Sequence, residues 1–167
     1  MALRAQDNSG SISLNADELL RDALLFTVDV DVAYPGGDRQ LWNTRVEKIT
    51  IPGRAVEVSL EGGDSRLTVN FTLYPAEDSR LLLVARSETW VAGEYSSALS
   101  SLPVAYHDEV YYYPLGRAEN GGDDSPVEVR MAIIVVPYLE TLDEEARASL
   151  ESAFNSSAQF DLSGEDP

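Results

Sequence analysis

Leu67-Thr68-Val69-Asn70-Phe71-Thr72-Leu73-Tyr74-Pro75, followed after a short polar connection by Leu81-Leu82-Leu83-Val84-Ala85 and then Arg86 to Val91, decides the fold. In the first half Leu67, Val69, Phe71 and Leu73 alternate with polar residues, the two-residue period of a strand with one buried face. Pro75 ends the run because it cannot donate to a ladder and pushes its predecessor out of the α region. Leu81 to Ala85 is apolar at every position, which predicts a strand covered on both faces. Alternation resumes from Arg86 to Val91. A hairpin of this length needs further strands to cover it.

Those strands are legible on either side. Asn15-Ala16-Asp17-Glu18 reads as a helix start, an asparagine cap with glutamate three residues on. A short helix there leads into Phe26, Val28, Val30, Val32 and Tyr34, alternating with Thr27, Asp29, Asp31 and Ala33. Pro35-Gly36-Gly37-Asp38 ends this strand. Arg45 to Ile51 alternates less cleanly, Pro52-Gly53 turns the chain, and Val56, Val58 and Leu60 return it. Ala92-Gly93 is another turn. The small polar stretch Ser96 to Ser101 offers only Leu99 and Leu102 as anchors. Val110 to Tyr113 and Val127 to Val136 are the last strands, the latter ending apolar on both faces. Thr141-Leu142-Asp143-Glu144 reads as a capping box opening a helix of about twelve to fourteen residues. That helix, striped by Leu142, Ala146, Leu150, Ala153 and Phe154, is the expected cover for the final strand.

The prediction is therefore mainly β: an antiparallel β-sandwich, immunoglobulin-like or jelly-roll-like, of seven to eight strands, with a C-terminal α-helix and a short N-terminal helix. Residues 1–14 form a flexible arm, 15–154 a single domain, and 155–167 a disordered acidic tail. There is no βαβ alternation to suggest a Rossmann-type sheet.

Composition narrows the function. The chain of 167 residues is long enough for a core without disulfides or metal, and it has no cysteine. Thiolate catalysis and cysteine-bound zinc or iron–sulfur centres are excluded. The net charge is −17, and Lys48 is the single lysine. This charge disfavours nucleic acid and anionic lipid, both of which need a basic face. It fits either plain solubility or a high-salt or GC-rich source. No apolar run approaches the roughly eighteen residues of a membrane span. Leu3-Arg4-Ala5 before Gln6-Asp7 looks like the remnant of a signal-peptide cleavage site, so the expectation is an exported protein, periplasmic or extracellular, against a cytoplasmic alternative.

Catalytic signals are weak. His107 is the one histidine, and no nucleophile-elbow glycine pattern surrounds any serine. With twenty-nine acids, some carboxylate pair will match glycosidase spacing by chance. Glu119, Asp123 and Asp124, with Asn120, share one loop and are calcium candidates by ligand type, without EF-hand spacing. No cofactor is expected. Aromatics carry more. Trp90 shares a face with Arg86 and Glu88, which looks outward and would let Arg86 stack on Trp90. Trp42 lies in a loop or strand start. Tyr111, Tyr112 and Tyr113 are consecutive, so at least one must point away from the core. Trp42, Arg86, Trp90, Tyr111 and Tyr113 are thus the candidate binding residues.

The expected function is a non-enzymatic binding module that recognises another macromolecule, a protein partner first, through these aromatics or an open sheet edge. A carbohydrate-binding module for polysaccharide is the first alternative. A hydrolase using carboxylates or His107 is the second. The layout resembles exported bacterial sandwich modules in architecture alone, and architecture does not assign function.

Overall fold

The computed structural model describes residues 16–34, 40–91, 93–117 and 127–158, with side chains from 18 to 153. It has two antiparallel four-stranded sheets and two helices. Helix α1 is Ala16–Arg21. Strands β1 (Leu24–Ala33), β2 (Gln40–Thr50), β7 (Glu109–Tyr112) and β8 (Glu128–Pro137) make one sheet in the order β2-β1-β8-β7. Strands β3 (Ala55–Gly62), β4 (Ser65–Pro75), β5 (Leu81–Val91) and β6 (Glu94–Val104) make the other, in chain order. Helix α2 spans Glu144–Ala158, after a 3₁₀ turn at Tyr138–Thr141.

The predicted sandwich is present. Its strand order refines the expectation of an immunoglobulin-like or jelly-roll layout. Consecutive strands pair throughout each sheet except where β1 meets β8. The two sheets are joined by the short corners 51–54 and 105–108. The order is therefore a meander closed by its first and last strands, without the long return of a Greek key. Both corners are pinned. Gly53, at φ +83°, donates its N–H to the Leu73 carbonyl at 2.7 Å. A β-carbon is disfavoured at such a φ. His107, at φ +68°, donates its N–H to the Val135 carbonyl at 3.0 Å.

The alternating residues meet between the sheets. Phe26, Val28 and Val30 from β1 and Met131, Ile133 and Val135 from β8 face Val69, Phe71, Leu73, Leu83 and Ala85 from β4 and β5, all nearly inaccessible to water. Phe71 is the hinge of this core. Its ring lies 5.4 Å from Phe26 and 5.8 Å, edge-on, from Tyr112. Each such side chain contributes about 1.5–3 kcal/mol by leaving water.

Several expectations need correction. Leu81 to Ala85 is covered on one face only: Leu82 is exposed and Val84 half-buried. The small polar stretch after Gly93, given no element in the sequence reading, is the full strand β6, paired from Val91↔Glu94 to Leu81↔Val104. The cap of α2 is Asp143, whose Oδ1 accepts the Ala146 N–H at 2.7 Å, while Thr141 turns its hydroxyl to the Tyr138 carbonyl. Helix α2 also runs to Ala158, past the expected start of the tail at 155. Its described surface is mostly solvent-exposed, with Ala146 and Leu150 half-buried. The element set against β1 and β8 is instead the 3₁₀ turn, where Tyr138 donates its N–H to Ala23. The arm 1–14 and residues 159–167 lie outside the described residues.

Candidate functional site

Every other residue of a strand faces outward, so pairing register reads out the outer surface of the β3–β6 sheet. Across β4, β5 and β6 the outward rows are Arg66–Trp90–Tyr95, Thr68–Glu88–Ser97, Asn70–Arg86–Leu99, Thr72–Val84–Ser101 and Tyr74–Leu82–Pro103. Apolar and aromatic side chains therefore mark both ends and the middle. Trp90 and Tyr95 pack ring to ring at 4.8 Å and each remains about half exposed. Leu99 is 72% exposed, and Tyr74 and Leu82 are exposed at the far end. Outward Trp90 agrees with the sequence reading. The expected stacking of Arg86 on Trp90 does not: Arg86 reaches Glu88 at 2.8 Å, and Tyr95 takes the Trp90 ring.

The edge of this sheet is the second feature. Among the described residues, no strand pairs with the far side of β6. Even its inward-facing Ser96 and Ala98 are exposed, so nothing described covers that flank. The direction of the free backbone groups follows from the hairpin. Ala92-Gly93 is a two-residue connection closed by the pair Val91↔Glu94, and the residues flanking such a turn exchange both ladder bonds. Even-numbered residues of β6 thus bond to β5, and Tyr95, Ser97, Leu99 and Ser101 turn N–H and C=O to the open side. Pro103, which has no N–H to give, shares that parity, as a proline tolerated in a ladder must.

Other edges carry blunting charges. β2 bears Arg45, Glu47 and Lys48, and β3 bears Glu57 and Glu61. β7 is only four residues long and begins with Glu109. β6 has no charge between Tyr95 and Val104. Charges, prolines and shortness are the usual guards of an edge, and β6 has one proline at its end.

The remaining candidates scatter. Tyr111 lies on the outside of the other sheet, its hydroxyl donating to Glu109 and its ring beneath the Arg130 guanidinium at 5.6 Å. The Glu109 carboxylate holds the Tyr111 hydroxyl proton and raises its pKa. Arg130 also pairs with Asp31 at 2.6 Å, and Arg45 grips Asp29 with two bonds of 2.7 Å. That grip lowers the Asp29 pKa. These cross-strand pairs are mutually satisfied and read as sheet stabilisers. Tyr113 follows β7, half-buried under Arg117 at 5.2 Å. Trp42 is near the start of β2, the second of the two expected places, opposite Val32 on the core side and half exposed at the rim. The five candidates thus fall in three places: Arg86 and Trp90 share one face, Tyr111 and Tyr113 both lie near Arg130 on the other sheet, and Trp42 stands apart.

His107 sits in the β6–β7 corner with its Nε2 2.9 Å from Glu140, both side chains more than half exposed. Glu119, Asp123 and Asp124 lie outside the described residues. Among the described residues, no cluster of three or more His, Asp or Glu side chains is placed to hold a metal ion. No described helix is long and apolar enough to cross a membrane. A shallow open hollow of 290 Å³ lies beside Trp90, lined by Glu61, Gly63, Asp64, Ser65 and Arg66. Tyr95, Leu99 and the β6 edge were invisible as a site in the sequence because serines concealed the strand. Compared with models of known protein families, with curated proteins and with solved structures, the chain matches none.

Proposed function

We propose that this chain is a binding module that takes an extended protein segment along β6, adding a strand to the β3–β6 sheet. The observation that carries the reading is the eleven-residue edge strand whose outward backbone groups have no described partner and whose flank bears no charge from Tyr95 to Val104. Strand addition draws affinity from main-chain hydrogen bonds and specificity from alternate side chains. Here those side chains are Tyr95, Leu99 and Pro103, backed by Trp90 and Leu82 on β5. An array of extended peptides probed with the chain and with Leu99→Lys tests this. Signal lost in the variant supports the reading; equal signal from both removes it.

The hollow beside Trp90 favours a second reading, a sugar ring stacked on the indole with Asp64, Ser65 and Arg66 at its hydroxyls. Trp90→Ala separates the two. It abolishes retention on a polysaccharide column if sugar is the ligand and leaves peptide binding reduced but present if it is not.

A further inference from the structure

We infer that the segment received by β6 is β6 of a second copy, joining two molecules about a two-fold axis into one continuous sheet. The inference rests on the strand-addition reading above and adds the identity of the occupant. Its ground is the outward pattern of β6: Tyr95, Ser97, Leu99, Ser101, Pro103. Read in either direction this is apolar, serine, apolar, serine, apolar, with Leu99 at the centre. A two-fold axis through Leu99 sets Leu99 against its copy, Ser97 against Ser101, and Tyr95 against Pro103. Such an isologous contact requires a self-complementary patch, and this strand is one.

The backbone agrees. Leu99 belongs to the parity whose N–H and C=O face the open side, so the central pair can exchange both bonds. Ser97 and Ser101 continue the ladder, and the Tyr95 N–H can still reach the Pro103 carbonyl. Charge points the same way. Each copy carries −17, so two copies can approach closely only along a neutral line. In the Leu99-centred register Glu94, the one charged residue of β6, faces Val104 and not another acid. A shift to the register centred on Ala98 would set Leu99 against Ser97 and Tyr95 against Ser101, losing every apolar match. The dimer would also align the Trp90–Tyr95 pair of one molecule beside Pro103 and Leu82 of the other, covering the side of Leu99 that is now in water.

The absence of native cysteine makes the register directly testable. Opposed Cα atoms of a hydrogen-bonded antiparallel pair are about 5.5 Å apart, within disulfide range. Leu99→Cys is expected to give a covalent dimer under mild oxidation, and Ser59→Cys, also exposed but on β3, to stay monomeric. Sedimentation of the unmodified chain is expected to show a monomer–dimer equilibrium, weakened at least about tenfold by Leu99→Lys with an unchanged circular dichroism spectrum. Ser97→Lys, which also faces the partner, provides a second variant should Leu99→Lys disturb folding. A chain monomeric up to about 1 mM, or a dimer indifferent to both lysines, overturns the inference. The array of extended peptides tells which reading has failed. If the chain is monomeric but binds array peptides in a Leu99-dependent way, the edge is a docking site for another protein. If it binds none, strand addition falls as well.

Discussion

Leu99 stands 72% exposed in the middle of the uncharged stretch Tyr95–Val104 of β6, beside Arg86 on β5. An isolated surface leucine needs no explanation; in the proposed strand addition the contact centres on Leu99. Truncating it should hardly affect folding: Leu99→Ala is expected to change stability by less than about 0.5 kcal/mol, measured by urea unfolding, while weakening association. Phe71 is the opposite case. It is buried between Phe26 and Tyr112, and Phe71→Ala should cost about 3–5 kcal/mol in the same experiment, enough to threaten the fold. Asp29 supplies a pH signature. Arg45 holds its carboxylate below the ordinary pKa of 3.8. Because the folded-state value is depressed, the pair's contribution is fully present above the unfolded pKa and is lost as pH falls through the folded one. Asp29→Asn is therefore expected to cost about 0.2–1 kcal/mol near neutrality, as exposed pairs do. The difference from the unsubstituted chain should shrink as pH falls below 3.8 and through the depressed folded-state pKa; a difference undiminished in strong acid would refute the assignment.

At the level of elements, the strands with greasy alternation were readable because burial demands it. β1, β4 and β8 each place a valine, leucine, isoleucine, methionine or phenylalanine at nearly every inward position, and β5 does so at Leu81 and Leu83 before Ala85, Ser87 and Thr89. β6 was not readable. Its inward residues Ser96, Ala98 and Ser100 lie where the sandwich is open, and only Leu102 and Val104 reach the core. A strand held by ladder bonds to β5, without a buried stripe, leaves no period to detect. The apolar run Leu81–Ala85 misled in the reverse sense, since Leu82 is apolar for a surface and not for a second layer. The site failed to appear for the same reason. Trp90 was identified as outward, but its partners Tyr95 and Leu99 sit on the strand that serines hid. Pro103 shows that the parity of β6 is constrained. Moving the proline one residue, as Leu102→Pro with Pro103→Leu, should break a bond to β5 and lower the thermal midpoint by several degrees, followed by differential scanning calorimetry.

Across the whole molecule, the two sheets have among the described residues four edge strands, of which β2 and β3 carry charges, β7 is short, and β6 is uncharged from Tyr95 to Val104. Each copy carries a net charge of −17, so two copies repel. Association through β6 should accordingly strengthen with salt. Raising ionic strength from about 0.01 M to about 0.15 M shortens the Debye length from about 30 Å to about 8 Å, and the dimer fraction in sedimentation is expected to rise. A fall would mean that opposite charges, not neutral backbone, join the partners. The most direct measurement is amide hydrogen exchange along β6 as protein concentration is raised. The account expects the Tyr95, Ser97, Leu99 and Ser101 amides to exchange fast in dilute solution and slow as copies associate, while those of Ser96, Ala98 and Ser100 stay protected throughout. Protection that appears on β2, β3 or β7 instead, with β6 unchanged, would contradict it.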